Sequence, residues 1–196
     1  MSKKLLLILV LFSFAMPLEA FFLIPLSKRN KEISNRVYSV INTKDKKWQI
    51  RGTYPTDNES ELIFYFIPEN ENKNNWSSEI VIHEVINEKS YTLEEECEII
   101  KKRSGVPPPP YSKFVVLSKT NSELVYEMYV DLEEDPKRKQ CGHEIGVVEK
   151  ISDNRFWYYQ FYQKHKRIDE EQKESLLSQL KQIQNIMSKP LKLAKK

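Results

Sequence analysis

The sequence predicts an α+β fold: a single domain in which an antiparallel sheet of about six to seven strands is flanked by two to three helices, behind an N-terminal signal peptide. Three observations lead there. Segments of roughly eight to ten residues with alternating apolar and polar character follow one another across turn-length polar stretches, which is the pattern of hairpins and meanders. One helix with a marked start interrupts them after Thr92, and another closes the chain after Asp169. Strands in consecutive runs argue against alternating βαβ units.

Taken in order, residues 28–44 are rich in Lys, Arg and Asn and set Ile33, Val37, Val40 and Ile41 at helical spacing. KKWQIRGTY then reads as a strand. SELIFYFIPE, Ser60 to Glu69, is a second, beyond the turn-rich Pro55 to Asn58. A third runs roughly from Glu79 to Val85, with Ile80 and Ile82 on one side and Val81, His83 and Val85 on the other.

The helix after Thr92 is the best marked. Thr92 and Glu95 form a capping box, Leu93, Cys97 and Ile100 lie on one face, Lys101 to Arg103 suit the negative end of the dipole, and Gly105 stands where a C-terminal cap belongs. Pro107 to Pro110 make a stiff connector. With Tyr111 they also spell P-P-P-Y, a WW-domain ligand pattern, but a spacer is the reading preferred for an exported chain.

Two strands, Lys113 to Thr120 and Glu123 to Leu132, form a hairpin about Asn121 and Ser122. In the second, Leu124, Tyr126 and Met128 share an apolar face, whereas Glu123, Val125, Glu127 and Tyr129 share a more polar one. After the charged loop EEDPKRK comes KQCGHEIGVVEK, whose His143, Ile145 and Val147 alternate with Glu144, Gly146 and Val148. A turn at Ser152 to Asn154 pairs it with RFWYYQFYQK, which is aromatic on both faces and therefore expected to be a central strand. The final helix buries Leu176, Leu177, Leu180, Ile183 and Met187 and stops at Pro190.

The N-terminus has the layout of a secretory signal peptide: Lys3 and Lys4, an apolar run from Leu5 to Met16, then Pro17 before Ala20. Cleavage is expected after Ala20, with the small pair Ser13 and Ala15 marking a second candidate. The domain organisation is then 1–20 signal peptide, 21–44 an N-terminal segment with a short helix, 45–188 the α+β domain, and 189–196 a basic tail. The alternative is an uncleaved inner-membrane anchor, because apolar residues resume at Phe21 to Ile24. Against it, Glu19 would place a carboxylate within the span at a cost of about 2.5–3.5 kcal/mol. The expected location is periplasmic or secreted.

Lys and Arg total 31 against 28 acidic residues, so the balance of +3 gives no mandate for nucleic acid. Only four glycines occur, in neither phosphate-loop spacing, which excludes the common nucleotide motifs. No G-x-S-x-G elbow is present. The two cysteines, Cys97 and Cys141, are expected to form one disulfide in an oxidising compartment, worth at most roughly 4 kcal/mol for the loop it closes.

His143-Glu144 and His83-Glu84 each begin an H-E pair, but neither has the second histidine that a zinc helix needs, and both lie on strands. No metal and no cofactor are therefore expected. The aromatics of the last strand could stack on a sugar or a single-stranded nucleic acid; a central strand accounts for them more economically.

FIPENENKNNW, a strand, a capped helix, and HEIGVVEKISDNRFWYYQFYQK together resemble a group of small exported bacterial proteins of unassigned function, over roughly residues 45–165. The order of elements is also similar to Mog1/PsbP-like domains, a family mostly of binding and assembly modules with helices flanking an antiparallel sheet. The resemblance draws attention to Trp48, Trp76, His143 and Glu144, and implies structural or unassigned roles for them. The Asn- and Lys-rich inserts and the proline run depart from that pattern.

The expectation is a non-enzymatic binding or accessory protein of the bacterial envelope or a secretion pathway. Its partner would be a protein or a small ligand, with no nucleic acid and no stable membrane insertion once the signal peptide is cleaved. His143, Glu144 and Trp76 mark the expected functional surface. The alternative is a small-ligand binder or hydrolase with a cleft beside the aromatic strand 155–164.

Overall fold

The computed structural model describes residues 28–55, 61–103, 112–130 and 142–189. The signal peptide, the proline connector, the EEDPKRK loop, Cys141 and the tail from residue 190 lie outside the described residues. The elements are α1 (Lys28–Ile41), β1 (Trp48–Pro55), β2 (Glu61–Pro68), β3 (Ser78–Ile86), α2 (Leu93–Arg103), β4 (Ser112–Lys119), β5 (Glu123–Val130), β6 (Gly142–Ser152), β7 (Arg155–Lys164) and α3 (Glu170–Met187). All seven strands form one antiparallel sheet in the order β1-β2-β3-β7-β6-β5-β4, so the α+β expectation holds.

Two meanders, β1-β2-β3 and β4-β5-β6-β7, meet where β7 pairs with β3. β7 is central because its side chains need cover on both sides: Phe156, Trp157, Tyr158, Tyr159 and Phe161 are all buried. One face of the sheet carries α1 and α3 over a core that includes Phe64, Phe66, Ile80, Ile82, Ile145 and Val147. The other carries α2, whose Leu93, Cys97 and Ile100 pack on Tyr126, Val148, Phe156 and Tyr158.

Local signals set the helix ends. In the capping box of α2, Glu95 Oε2 accepts from the Thr92 N–H at 2.7 Å, and Thr92 Oγ1 accepts from the Glu95 N–H at 3.2 Å. At the start of α3, Asp169 Oδ1 accepts from the Gln172 N–H at 2.8 Å. Arg36 of α1 donates to the Ile186 and Lys189 carbonyls, satisfying acceptors that the end of α3 leaves unpaired. α1 ends at Ile41 rather than reaching residue 44, because Asn42 Oδ1 turns back to accept from the Trp48 N–H at 2.7 Å and opens β1.

Glu84 is 2% exposed and is clasped by Arg29 of α1 and Arg155 of β7, which ties that helix to the middle of the sheet. A buried carboxylate persists as a charge only with such partners. No helix among the described residues is long and apolar enough to cross a membrane.

The expected Cys97–Cys141 disulfide is corrected: Cys97 is a free thiol, and Cys141 lies outside the described residues. Cys97 points inward and is used as a small apolar filler between α2 and the sheet.

Candidate functional site

Neighbouring residues of a strand point to opposite faces of the sheet, so β6 separates the two residues that the H-E pattern joins. His143 turns toward α3 with Ile145 and Val147, whereas Glu144 turns to the α2 face. Trp76, just before β3, also stands on the α2 side, against Tyr162 of β7. The three residues expected to share one functional surface therefore do not share one.

His143 is 2% exposed. Its Nδ1 accepts from the Ile168 N–H at 2.8 Å, so the neutral ring carries its proton on Nε2. Nε2 faces Glu127 Oε1 at 2.8 Å, out of line for a good hydrogen bond. Burial lowers the imidazole pKa; Glu127 opposes that shift, while Lys173 and Arg167 add to it. Lys173 Nζ in turn bridges Glu127, at 3.1 Å, and Glu170, at 2.7 Å. Glu127 belongs to the polar face of β5, and that face is polar because α3 lies over it and supplies the counter-charges; Lys181 pairs with Glu123 in the same way.

Beside this cluster lies a cleft of about 320 Å³ between the start of α3 and strands β4, β5 and β6. Val115, Tyr129 and His143 line it from the sheet, and Lys113, Arg167 and Glu170 from its charged margin. The Arg167 guanidinium stacks on the Tyr129 ring at 4.3 Å. His165, at φ 56°, turns the chain out of β7 and so brings 167 and 168 back over the sheet.

On the opposite face, Tyr126 donates to Glu144 Oε1 at 2.5 Å, and Gln160 Nε2 donates both to that oxygen, at 2.9 Å, and to the Tyr126 hydroxyl, at 2.8 Å. Burial raises the Glu144 pKa, against the lowering effect of these two donors. It also raises that of Tyr126 well above the phenolic range, with the Glu144 charge adding. Gly146, directly opposite Tyr126 in the ladder, makes room for the ring: a Cβ there would collide with it.

Around Trp76, Lys164 Nζ lies 3.6 Å and the Arg51 guanidinium 5.3 Å from the ring centroid, and Tyr162 meets it edge-on. Arg51 also covers Tyr65 and stands 2.9 Å from Glu79 Oε1. Glu79 is 5% exposed, and burial pushes its carboxyl up to about 7 against the pull of Arg51 and Lys164. Cations thus occupy the aromatic faces from which a stacking platform would work. A further cleft, of about 560 Å³, lies among polar loops at Lys46, Glu69, Glu71 and Ser77.

The sequence reading missed Glu127, Arg167, Lys173 and the Arg51–Glu79 pair. One signal was available: charges on a strand face that alternates with an apolar one ask for counter-charges from a covering helix. No group of three or more His, Cys, Asp or Glu suited to a metal ion occurs among the described residues.

Fold and site define a small α+β protein with a three-layer arrangement and a charged cleft at one end of its sheet. No protein-family model and no curated protein sequence matches the chain. Among solved structures, a mutant form of the protein Mog1 is similar at a TM-score of 0.36 and 7% identity, covering 71% of this chain and 91% of that one. This is a weak likeness in the arrangement of sheet and helices, and it carries no functional argument.

Proposed function

We propose that this chain is a non-enzymatic binding or accessory protein of the bacterial envelope or a secretion pathway, exported by the N-terminal segment, with the cleft beside His143 as its binding site. The observation that supports this is the state of His143: one ring nitrogen is taken by the Ile168 N–H and the other faces Glu127. A general base or a metal ligand needs a nitrogen directed at substrate or ion. The ring instead holds the start of α3 against the sheet, and it gives the cleft a rigid wall.

A hydrolase built on His143 and Glu144 is disfavoured by their placement on opposite faces of β6. The test is a panel of ester, peptide and glycan substrates together with binding titrations on the purified mature protein. Saturable binding without turnover supports the reading. Turnover that is lost in His143→Ala, in a variant that still folds, overturns it.

A further inference from the structure

We propose that the end of the sheet where β3 and β6 finish and β7 begins rests on an anionic lipid surface, with a headgroup phosphate at Arg29 and Arg155 and with Ile86 and Ile151 against the acyl boundary. This goes beyond the reading of the cleft, which lies at the opposite end of the sheet, and neither depends on the other.

The two arginines carry the inference. Both hold buried Glu84: Arg29 by Nη2 at 2.5 Å on one carboxylate oxygen, and Arg155 by Nε at 2.8 Å, and by Nη2, on the other. A guanidinium has five N–H donors. Nε and Nη1 of Arg29 and Nη1 of Arg155 have no acceptor among the described residues. Two groups bonded to the two oxygens of one carboxylate stand close enough for one phosphate to bridge, and guanidinium suits phosphate oxygens. Both side chains remain 39% exposed, against 3% for Glu84, so two cations at the surface answer to one buried carboxylate.

Apolar residues surround them. Among the described residues four large hydrophobics are exposed, and two of these, Ile86 and Ile151, flank Arg155. Ile86, the last residue of β3, pairs with Arg155 on one side, and Ser152, next to Ile151, pairs with it on the other. Cations beside exposed aliphatic side chains are the composition of a contact that lies on a membrane without spanning it. The chain also enters the fold here. Arg29 is the second residue of α1, with Lys28 and Lys31 beside it, and the apolar run Phe21 to Ile24 shortly precedes them in the sequence. Of the carboxylates nearby, Asp153 is engaged by Lys150 at 2.8 Å, and Glu88 is followed by Lys89. A plane of phosphates over hydrocarbon matches both the charge and the apolar character of this end.

The experiment is co-sedimentation of the mature protein with vesicles of phosphatidylcholine, alone or with about 30% phosphatidylglycerol. Binding is expected to need the anionic lipid and to weaken as salt rises from about 0.05 to 0.3 M. Arg155→Gln is expected to weaken it about fivefold, the effect of one cation near an anionic surface. Ile151→Ser, at an exposed position that leaves the core and the Glu84 pairs untouched, is expected to weaken it about threefold or more. Lys113→Gln, at the far end of the sheet, is expected to bind as the parent does.

Unchanged binding in Ile151→Ser overturns the proposal, even where Arg155→Gln fails to fold. An equal loss in Lys113→Gln also overturns it, because it marks general attraction of a basic protein. So does equal binding to both vesicles, which marks the apolar N-terminus acting alone. Displacement from the vesicles by about 10 mM inorganic phosphate, but not by chloride at matched ionic strength, marks a site for the free anion and overturns the lipid assignment. Absence of binding to either vesicle removes the proposal and leaves the cleft reading standing.

Discussion

His143 Nδ1 accepts the backbone N–H of Ile168 across 2.8 Å, joining strand β6 to the residue just before the N-cap of α3. Both groups are buried. Losing the acceptor strands a buried N–H, which costs about 1–3 kcal/mol, and His143→Ala is expected to lose at least that much in urea unfolding. His143→Asn offers Oδ1 in the place of Nδ1 and should recover part of the loss.

The same ring sets an acid limit. Its folded pKa lies below the ordinary imidazole value, so the unfolded chain binds the extra proton first. The His143 contribution is complete above about 6.5 and is lost as pH falls through the lower folded value. Unfolding midpoints between pH 7 and 5 should drop more steeply for the parent than for His143→Asn.

Glu79 acts in the opposite direction. Burial holds its carboxyl near 7, above the unfolded value, so its contribution is complete below the ordinary carboxylate range and is lost as pH rises toward 7. Carboxyl carbon NMR should show one glutamate titrating near 7. Glu79→Gln should remove that signal and flatten this part of the stability profile.

Gly146 and Tyr126 form a matched pair. Gly146→Ala forces the added methyl into a ring anchored by its hydroxyl to Glu144 and Gln160, and overpacking of this kind costs about 1–3 kcal/mol. Placing the same substitution in a Tyr126→Leu background should cost less, and the coupling read from the four unfolding midpoints measures the contact.

Cys97 should be slow toward thiol reagents. Burial raises its pKa, with Glu94 and Glu98 adding to the shift. Alkylation of the native protein at pH 8 is expected to lag well behind that of the urea-unfolded chain, as followed by intact mass.

Much of this architecture was readable from local patterns. The period-two runs marked the strands, Thr92 with Glu95 marked α2, and the aromatic residues on both faces of 155–164 placed β7 inside the sheet. The site was less readable because its members come from distant segments. Glu127 and Lys173 are 46 positions apart and meet only when α3 folds over β5. Cys97 illustrates a converse error: an even cysteine count suggested a bond, while the position of the thiol on the inner face of α2 already sufficed to explain it as packing.

By itself, the sequence determined which segments are strands and helices, which side of each is apolar, and that the strands pair antiparallel, because side-chain periodicity and turn chemistry are local properties of the chain. Only the tertiary structure decided that β7 joins the two meanders, and that His143 and Glu144 serve opposite faces. It alone brought Lys113, Tyr129, Arg167 and Lys173 around one cleft. Those outcomes depend on which surfaces bury one another and which charges then need partners, and neither is settled until the layers have packed.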